Sequence, residues 1–233
     1  MLYLTTSLNL TAKMGFADIL FFAAEIIGTI AFSVAGSLVA IRRELDIFGT
    51  IVVGGVTAVG GGCIRDVLLG NLPPNMFRVP VYAIVAVAVS CIVFILEYLL
   101  PAEKVLASKE YEFVVNIFDA LGLAIFVVVG INSAKSCGYG DNGFLAICVG
   151  VLTGVGGGVI RDLFVKTVPM ILRKQVYALP AIVGGIIYYY MDRADVNEVI
   201  CVVVTVIFVM TIRILAAILK WNLPKVKRNI TEE

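Results

Sequence analysis

The chain has 233 residues, 61% of them hydrophobic and only 15% charged, with a formal net charge of +1. Soluble domains carry about 45–50% apolar and about 25% charged residues, and a soluble fold of this size could not cover itself with so few polar groups, so the chain reads as an integral membrane protein. It has no His, which excludes a Ser-His-Asp triad, His acid–base catalysis and His-ligated metal sites. The near-neutral balance gives no bulk case for a nucleic-acid or soluble acidic partner.

A spanning helix needs about 20 apolar residues. The first 17 residues hold a single basic group, Lys13, and the stretch 20–41 is too long for a signal-peptide core, so no cleaved leader is expected. Residues 20–41 form the first expected span and stop at Arg42-Arg43. Residues 47–70 form the second, interrupted by Gly60-Gly61-Gly62 and followed at once by Arg65-Asp66. Residues 79–100 are a third span closed by Pro101, and residues 113–134 a fourth. Residues 143–165 repeat the interrupted pattern with Gly156-Gly157-Gly158, Arg161 and Asp162. A short span over 175–191 ends in Tyr188-Tyr189-Tyr190, read as interfacial belt residues. The last span, 198–219, leads into a basic tail. With the N-terminus outside, the inner segments hold Arg42, Arg43, Lys104, Lys109, Lys166, Arg173, Lys174, Lys220, Lys225, Lys227 and Arg228. The outer segments hold only Lys13, Arg78, Lys135 and Arg193. This bias predicts an outside N-terminus and a cytoplasmic C-terminus.

The chain repeats itself. Ile51, Val53, Gly54, Thr57, Val59, Gly60–Gly62, Ile64, Arg65 and Asp66 recur 96 residues later as Ile147 through Asp162. Gly28 and Gly36 match Gly122 and Gly130 at an offset of 94, where Glu25 matches Asp119 in kind. Pro74, Arg78 and Tyr82 match Pro169, Arg173 and Tyr177 at an offset of 95. Each copy holds three spans, an odd number, so the second enters the membrane from the opposite side and the repeats are inverted. The expected architecture is one all-α transmembrane domain over 1–233: repeat 1 at 19–100, repeat 2 at 113–191, a seventh helix at 198–220 and a cytoplasmic tail at 221–233. Paired glycine-interrupted helices in inverted repeats suit a solute pathway near the midplane.

Three consecutive glycines cost a helix about 1 kcal/mol each relative to Ala. Two readings explain the runs: a break that frees backbone groups to line a cavity, or close packing of backbones. The expectation is that the second and fifth helices break at Gly60–Gly62 and Gly156–Gly158. A charge at a helix centre costs about 2.5–3.5 kcal/mol on insertion scales. Pairing across the pseudo-two-fold, Arg65 to Asp162 and Arg161 to Asp66, would neutralise both doublets; the alternatives are locking of the bundle or snorkelling. Thr29, Ser33, Thr57 and Thr153 either line a narrow path or bond back to their own helices. Glu25 and Asp119 either draw cations to the two mouths or are solvated at the interface. Arg213 is left with three readings: snorkelling, a lipid site or a subunit contact. The five Cys (63, 91, 137, 148 and 201) form no CxxC and read as small apolar side chains. With no metal-ligand cluster and no nucleophile–base pair, an enzyme is not expected.

The segments GTIAFSVAG, LDIFG, VTAVGGGCIRDVLLG, FDALGLAIFVVVG and LTGVGGGVIRDLFV resemble the prokaryotic trimeric intracellular cation channels. That family overlaps a bacterial one labelled both as an uncharacterised membrane protein and as a glycine transporter domain. The resemblance covers about residues 19–191. It implies seven-helix protomers in a homotrimer, each with its own pore flanked by kinked second and fifth helices, permeable to K+ and also Na+. It makes Gly60–Gly62 and Gly156–Gly158 pore elements, and implies no cofactor beyond the permeant ions and bound lipid. The alternative is a secondary transporter of a small zwitterion such as glycine. A prokaryotic-looking chain of this kind is expected in the plasma or inner membrane. One departure stands out: repeat 2 has Val165-Lys166-Thr167 where repeat 1 has Leu69-Gly70-Asn71.

Overall fold

The computed structural model describes residues 15–99, 109–173, 177–219 and 221. Lys13, Pro101, Lys104, Lys174, Lys220 and the basic tail from residue 222 lie outside these. Among the described residues the helices are α1 (Phe16–Arg42), α2 (Ile47–Leu68), α3 (Asn75–Arg78), α4 (Val81–Leu99), α5 (Lys109–Ala134), α6 (Gly143–Phe164), α7 (Met170–Arg173), α8 (Ala178–Arg193) and α9 (Glu198–Ile218). A π turn over Lys135–Tyr139 follows α5.

Polar caps start the helices where the apolar runs begin. The Asp46 carboxylate accepts from Gly49 N at 2.7 Å to open α2, and the Asn142 side chain accepts from Leu145 N at 3.1 Å to open α6, each satisfying a first-turn amide that lacks a helical partner. α2 and α6 also end alike. Gly70 (φ 70°) and Lys166 (φ 53°) both adopt the left-handed conformation, and the next amides, Asn71 N and Thr167 N, donate to Asp66 O and Asp162 O, each at 2.8 Å. The Lys166 departure is thus one of sequence and not of backbone, since this reverse turn is set by its hydrogen bonds.

Among the described residues six helices, α1, α2, α4, α5, α6 and α9, are long and apolar enough to cross a membrane. α8, with 16 residues, falls short of the usual span of about 20. α5 lies at the centre, with 72% of its span buried, whereas α4 buries 22% and turns Ile84, Ile92 and Ile95 outward. Of the three consecutive tyrosines of α8 only Tyr190 faces outward, 65% exposed. Tyr188 and Tyr189 are buried, and the Tyr189 hydroxyl donates to Gly140 O at 3.0 Å. The expected three-residue aromatic belt is therefore one residue, because consecutive helical residues face different directions.

The glycine runs do not break their helices. α2 and α6 continue as α-helix through Gly60–Gly62 and Gly156–Gly158. Instead the two helices cross there in backbone contact. A Cβ on Gly61 would lie 2.1 Å from Thr153 O, and a Cβ on Gly157 would lie 2.1 Å from Thr57 O. Close packing is what these glycines permit. Gly60 faces Ile160, and Gly156 faces Ile64, so the helices run antiparallel, as inverted repeats require.

Candidate functional site: two related charge clusters and one open pocket

Each Arg-Asp doublet lies in the last turn of its helix. The Arg65 guanidinium donates through Nε to Asp66 Oδ1 at 2.8 Å and through Nη1 to Glu25 Oε1 at 2.9 Å. The other Asp66 oxygen accepts from the amide of Asn75, the first residue of α3, at 2.6 Å. Repeat 2 builds the same arrangement. Arg161 donates to Asp162 at 2.9 Å and to Asp119 at 2.8 Å, and Asp162 accepts from the amide of Met170, the first residue of α7, at 2.7 Å. The acid of the first helix, the Arg-Asp doublet of the second and the short helix after it are therefore joined by the same hydrogen bonds in each repeat.

The expected cross-repeat pairs, Arg65 to Asp162 and Arg161 to Asp66, do not form. The antiparallel crossing at Gly61 and Gly157 carries Arg65 to one side and Asp162 to the other. At 1.5 Å rise per residue, the four and five residues beyond the crossing separate them by about 13 Å along the axis. Glu25 and Asp119 are correspondingly not free carboxylates at the mouths. Asp119 is fully buried, and the Glu25 side chain is 15% exposed.

The hydroxyls divide. Thr57 and Thr153 donate back to Val53 O and Val149 O, each at 2.6 Å. Both lie against glycines of the preceding helix, Gly36 and Gly130. Ser33 donates to Ala86 O at 2.8 Å and meets Ser90 Oγ at 3.0 Å, tying α1 to α4. Thr29 borders a small, partly open cavity of about 30 Å³. Its walls also carry Glu25, Gly62, Arg65, Asp66, Tyr82 and Phe126. The Tyr82 hydroxyl donates to Glu25 Oε2. With one Arg against two carboxylates, the formal charge of the pocket is −1.

The repeat-2 counterpart is closed. Arg213, from α9 outside both repeats, donates to Asp119 Oδ2 at 2.9 Å, and its guanidinium lies 4.1 Å from the Tyr177 ring centroid. Asp119 is thus clamped between Arg161 and Arg213, and two Arg balance two Asp. The Arg213 head group therefore turns inward to Asp119 and does not snorkel outward. A charge in the last span was legible in the sequence, but no spacing rule linked it to Asp119, 94 residues away.

Among the described residues no group of three or more acidic or Cys side chains could hold a metal ion. All five Cys are free; Cys201 is buried and Cys137 exposed.

Comparison with known proteins matches both repeats. The family model described as "Glycine transporter" covers residues 22–98 and 116–193. The UPF0126 inner membrane protein YadS of Escherichia coli K12 is 36% identical over 202 residues, which span 85% of this chain and 91% of YadS. A UPF0126 membrane protein of Vibrio cholerae is 40% identical over 169 residues, 72% of this chain and 67% of that protein. The TRIC trimeric intracellular cation channel orthologue from Rhodobacter sphaeroides superposes with a TM-score of 0.78 at 29% identity, covering 87% of this chain and 99% of its own. A structure solved to explain conductance through TRIC cation channels gives 0.77 at 34% identity, covering 91% of this chain and 99% of its own. The chain is a multi-pass membrane protein that belongs to the family described as glycine transporters and shares the fold of the prokaryotic TRIC channels.

Proposed function

We propose that the chain is a channel for monovalent cations, K+ chiefly and also Na+, with one pathway through each protomer of a homotrimer. The observation that carries this reading is the pocket of repeat 1, which has a formal charge of −1 and opens beside the α2–α6 crossing. A cleft lined by one sign of charge concentrates counter-ions. The likeness to TRIC channels over most of the chain supports the same reading. On this view Thr29 and Glu25 border the approach, and the narrowest point lies where Gly61 and Gly157 bring the backbones together. The pathway then needs α2 and α6 to separate before it conducts. The orientation belongs to this proposal: seven spans with α8 the shortest, N-terminus outside, C-terminus cytoplasmic, in a plasma or inner membrane with bound lipid.

A second reading, transport of a small zwitterion such as glycine, is favoured by the description of the matching family and by the inverted repeats. Planar-bilayer recording of the purified protein in a KCl gradient separates the two. Discrete K+-selective openings indifferent to added glycine are expected. Silent bilayers, with saturable glycine uptake into liposomes from the same preparation, would establish transport instead.

A further inference from the structure

The two repeats differ by one guanidinium. In repeat 2 the carboxylate of Asp119 and the ring of Tyr177 receive the Arg213 head group, and Gly158 lies beside the Tyr177 hydroxyl and Asp119. The equivalent residues of repeat 1, Glu25, Tyr82 and Gly62, line an open cavity. The second cluster holds Arg161, Arg213, Asp119 and Asp162 and sums to zero. The first holds Arg65, Glu25 and Asp66 and sums to −1. The deficit is one positive charge, and the space lies beside the same kinds of groups that hold that charge in the other copy.

We propose that the repeat-1 pocket is a binding site for a small planar organic cation, a guanidinium or alkylguanidinium, which pairs with Glu25 and packs on Tyr82 as Arg213 pairs with Asp119 and packs on Tyr177. Three features support this ligand class over a bare metal ion. Arg213 shows within the same chain that a planar cation pairs with the carboxylate and packs on the aromatic ring of such a cluster. The aromatic face favours a weakly hydrated, delocalised cation. Glu25 Oε2 already accepts from the Tyr82 hydroxyl, but a carboxylate oxygen has two lone pairs, so a further donor can be taken. The floor has room: a Cβ on Gly62 meets only Arg65 Nη2, at 3.8 Å, whereas a Cβ on Gly158 would come within 2.9 Å of the Tyr177 hydroxyl. The proposal concerns equilibrium binding and does not depend on whether the chain conducts or transports.

The test is calorimetric titration of the purified full-length protein with methylguanidinium chloride, against tetramethylammonium chloride at matched ionic strength. Saturable binding to one site per chain is expected, with Kd on the order of millimolar for so small a ligand. Two variants remove the site by different routes. Glu25→Gln takes away the paired charge, and Gly62→Leu fills the floor without altering charge. Each should weaken binding about tenfold or more while the folded protein elutes as wild type; if Glu25→Gln does not fold, Gly62→Leu decides alone. No saturable binding, equal binding of tetramethylammonium, or undiminished binding in a folded variant would overturn the proposal.

Discussion

Gly61 and Thr153 touch through the backbone: a Cβ on Gly61 would stand 2.1 Å from the Thr153 carbonyl oxygen. The same distance relates Gly157 to Thr57, so the crossing of α2 and α6 is symmetric at its tightest point. Neither neighbour can yield by a rotamer change, because the obstructing atom is main chain. Gly61→Ala and Gly157→Ala should each destabilise by about 3 kcal/mol, the upper end of overpacking costs, and by similar amounts. Gly62→Ala should instead be neutral or gain up to about 1 kcal/mol of helix propensity. Thermal unfolding in detergent checks the contrast within one GGG run.

The acid of the first helix plays unequal parts in the two repeats. Asp119→Asn leaves Arg161 and Arg213 facing a neutral amide in a fully buried setting. Breaking a buried ion pair by removing one partner costs about 3–5 kcal/mol. Glu25→Gln should cost clearly less, since Arg65 keeps Asp66 and the Glu25 side chain reaches the open pocket. The ordering Asp119→Asn worse than Glu25→Gln, read from melting temperatures, is the expected result.

Arg213 fills its site by reaching in from α9, so its head group should be replaceable from solution. Arg213→Ala leaves Asp119 Oδ2 without its partner and should lower stability by about 2–3 kcal/mol. Methylguanidinium should restore part of that loss where an equal concentration of tetramethylammonium restores none. Absence of rescue would mean that the chain closes over the vacated space.

If the pocket feeds a cation pathway, its charge should matter most when little salt screens it. Glu25→Gln takes the formal charge from −1 to zero. K+ conductance should fall by about twofold or more at roughly 10 mM KCl and change little at roughly 1 M, where the Debye length shrinks from about 30 to about 3 Å. A loss of equal size at both concentrations would point to a steric or folding effect.

Ser33 and Ser37, one turn apart on α1, separate two kinds of buried polar group. Ser33 bonds Ala86 O, so Ser33→Ala should cost about 1 kcal/mol. Ser37 Oγ is buried without a hydrogen-bond partner, and the matching position in repeat 2 is Ile131. Ser37→Ala should therefore be neutral or stabilising, as unfolding curves of the two variants will show.

Much of the molecule was legible from residues alone. The apolar runs located α1, α2, α4, α5, α6 and α9 because a helix is the way to satisfy every backbone group of a single segment in lipid. The recurrence of GGGxxRD paired Arg65 with Arg161 as equivalents, and their partners proved equivalent too. What went astray concerned direction rather than identity. Gly60–Gly62 and Gly156–Gly158 admit a break and a close crossing equally well on composition, since both need the missing side chain. The partner of each Arg was misplaced because the antiparallel crossing, which a one-dimensional string does not contain, sets Arg65 and Asp162 on opposite sides.

The sequence by itself determined the membrane setting, the inverted duplication and the residues that carry charge into the bundle, because apolar length, repeat spacing and charge identity are properties of the string. Only the tertiary structure decided where those charges are spent. Arg213 meets Asp119 across 94 residues, and that one long-range contact closes one cluster while its counterpart stays open. Such a contact depends on how α9 packs against repeat 2, and no local period or propensity encodes the meeting of two side chains so far apart in the chain.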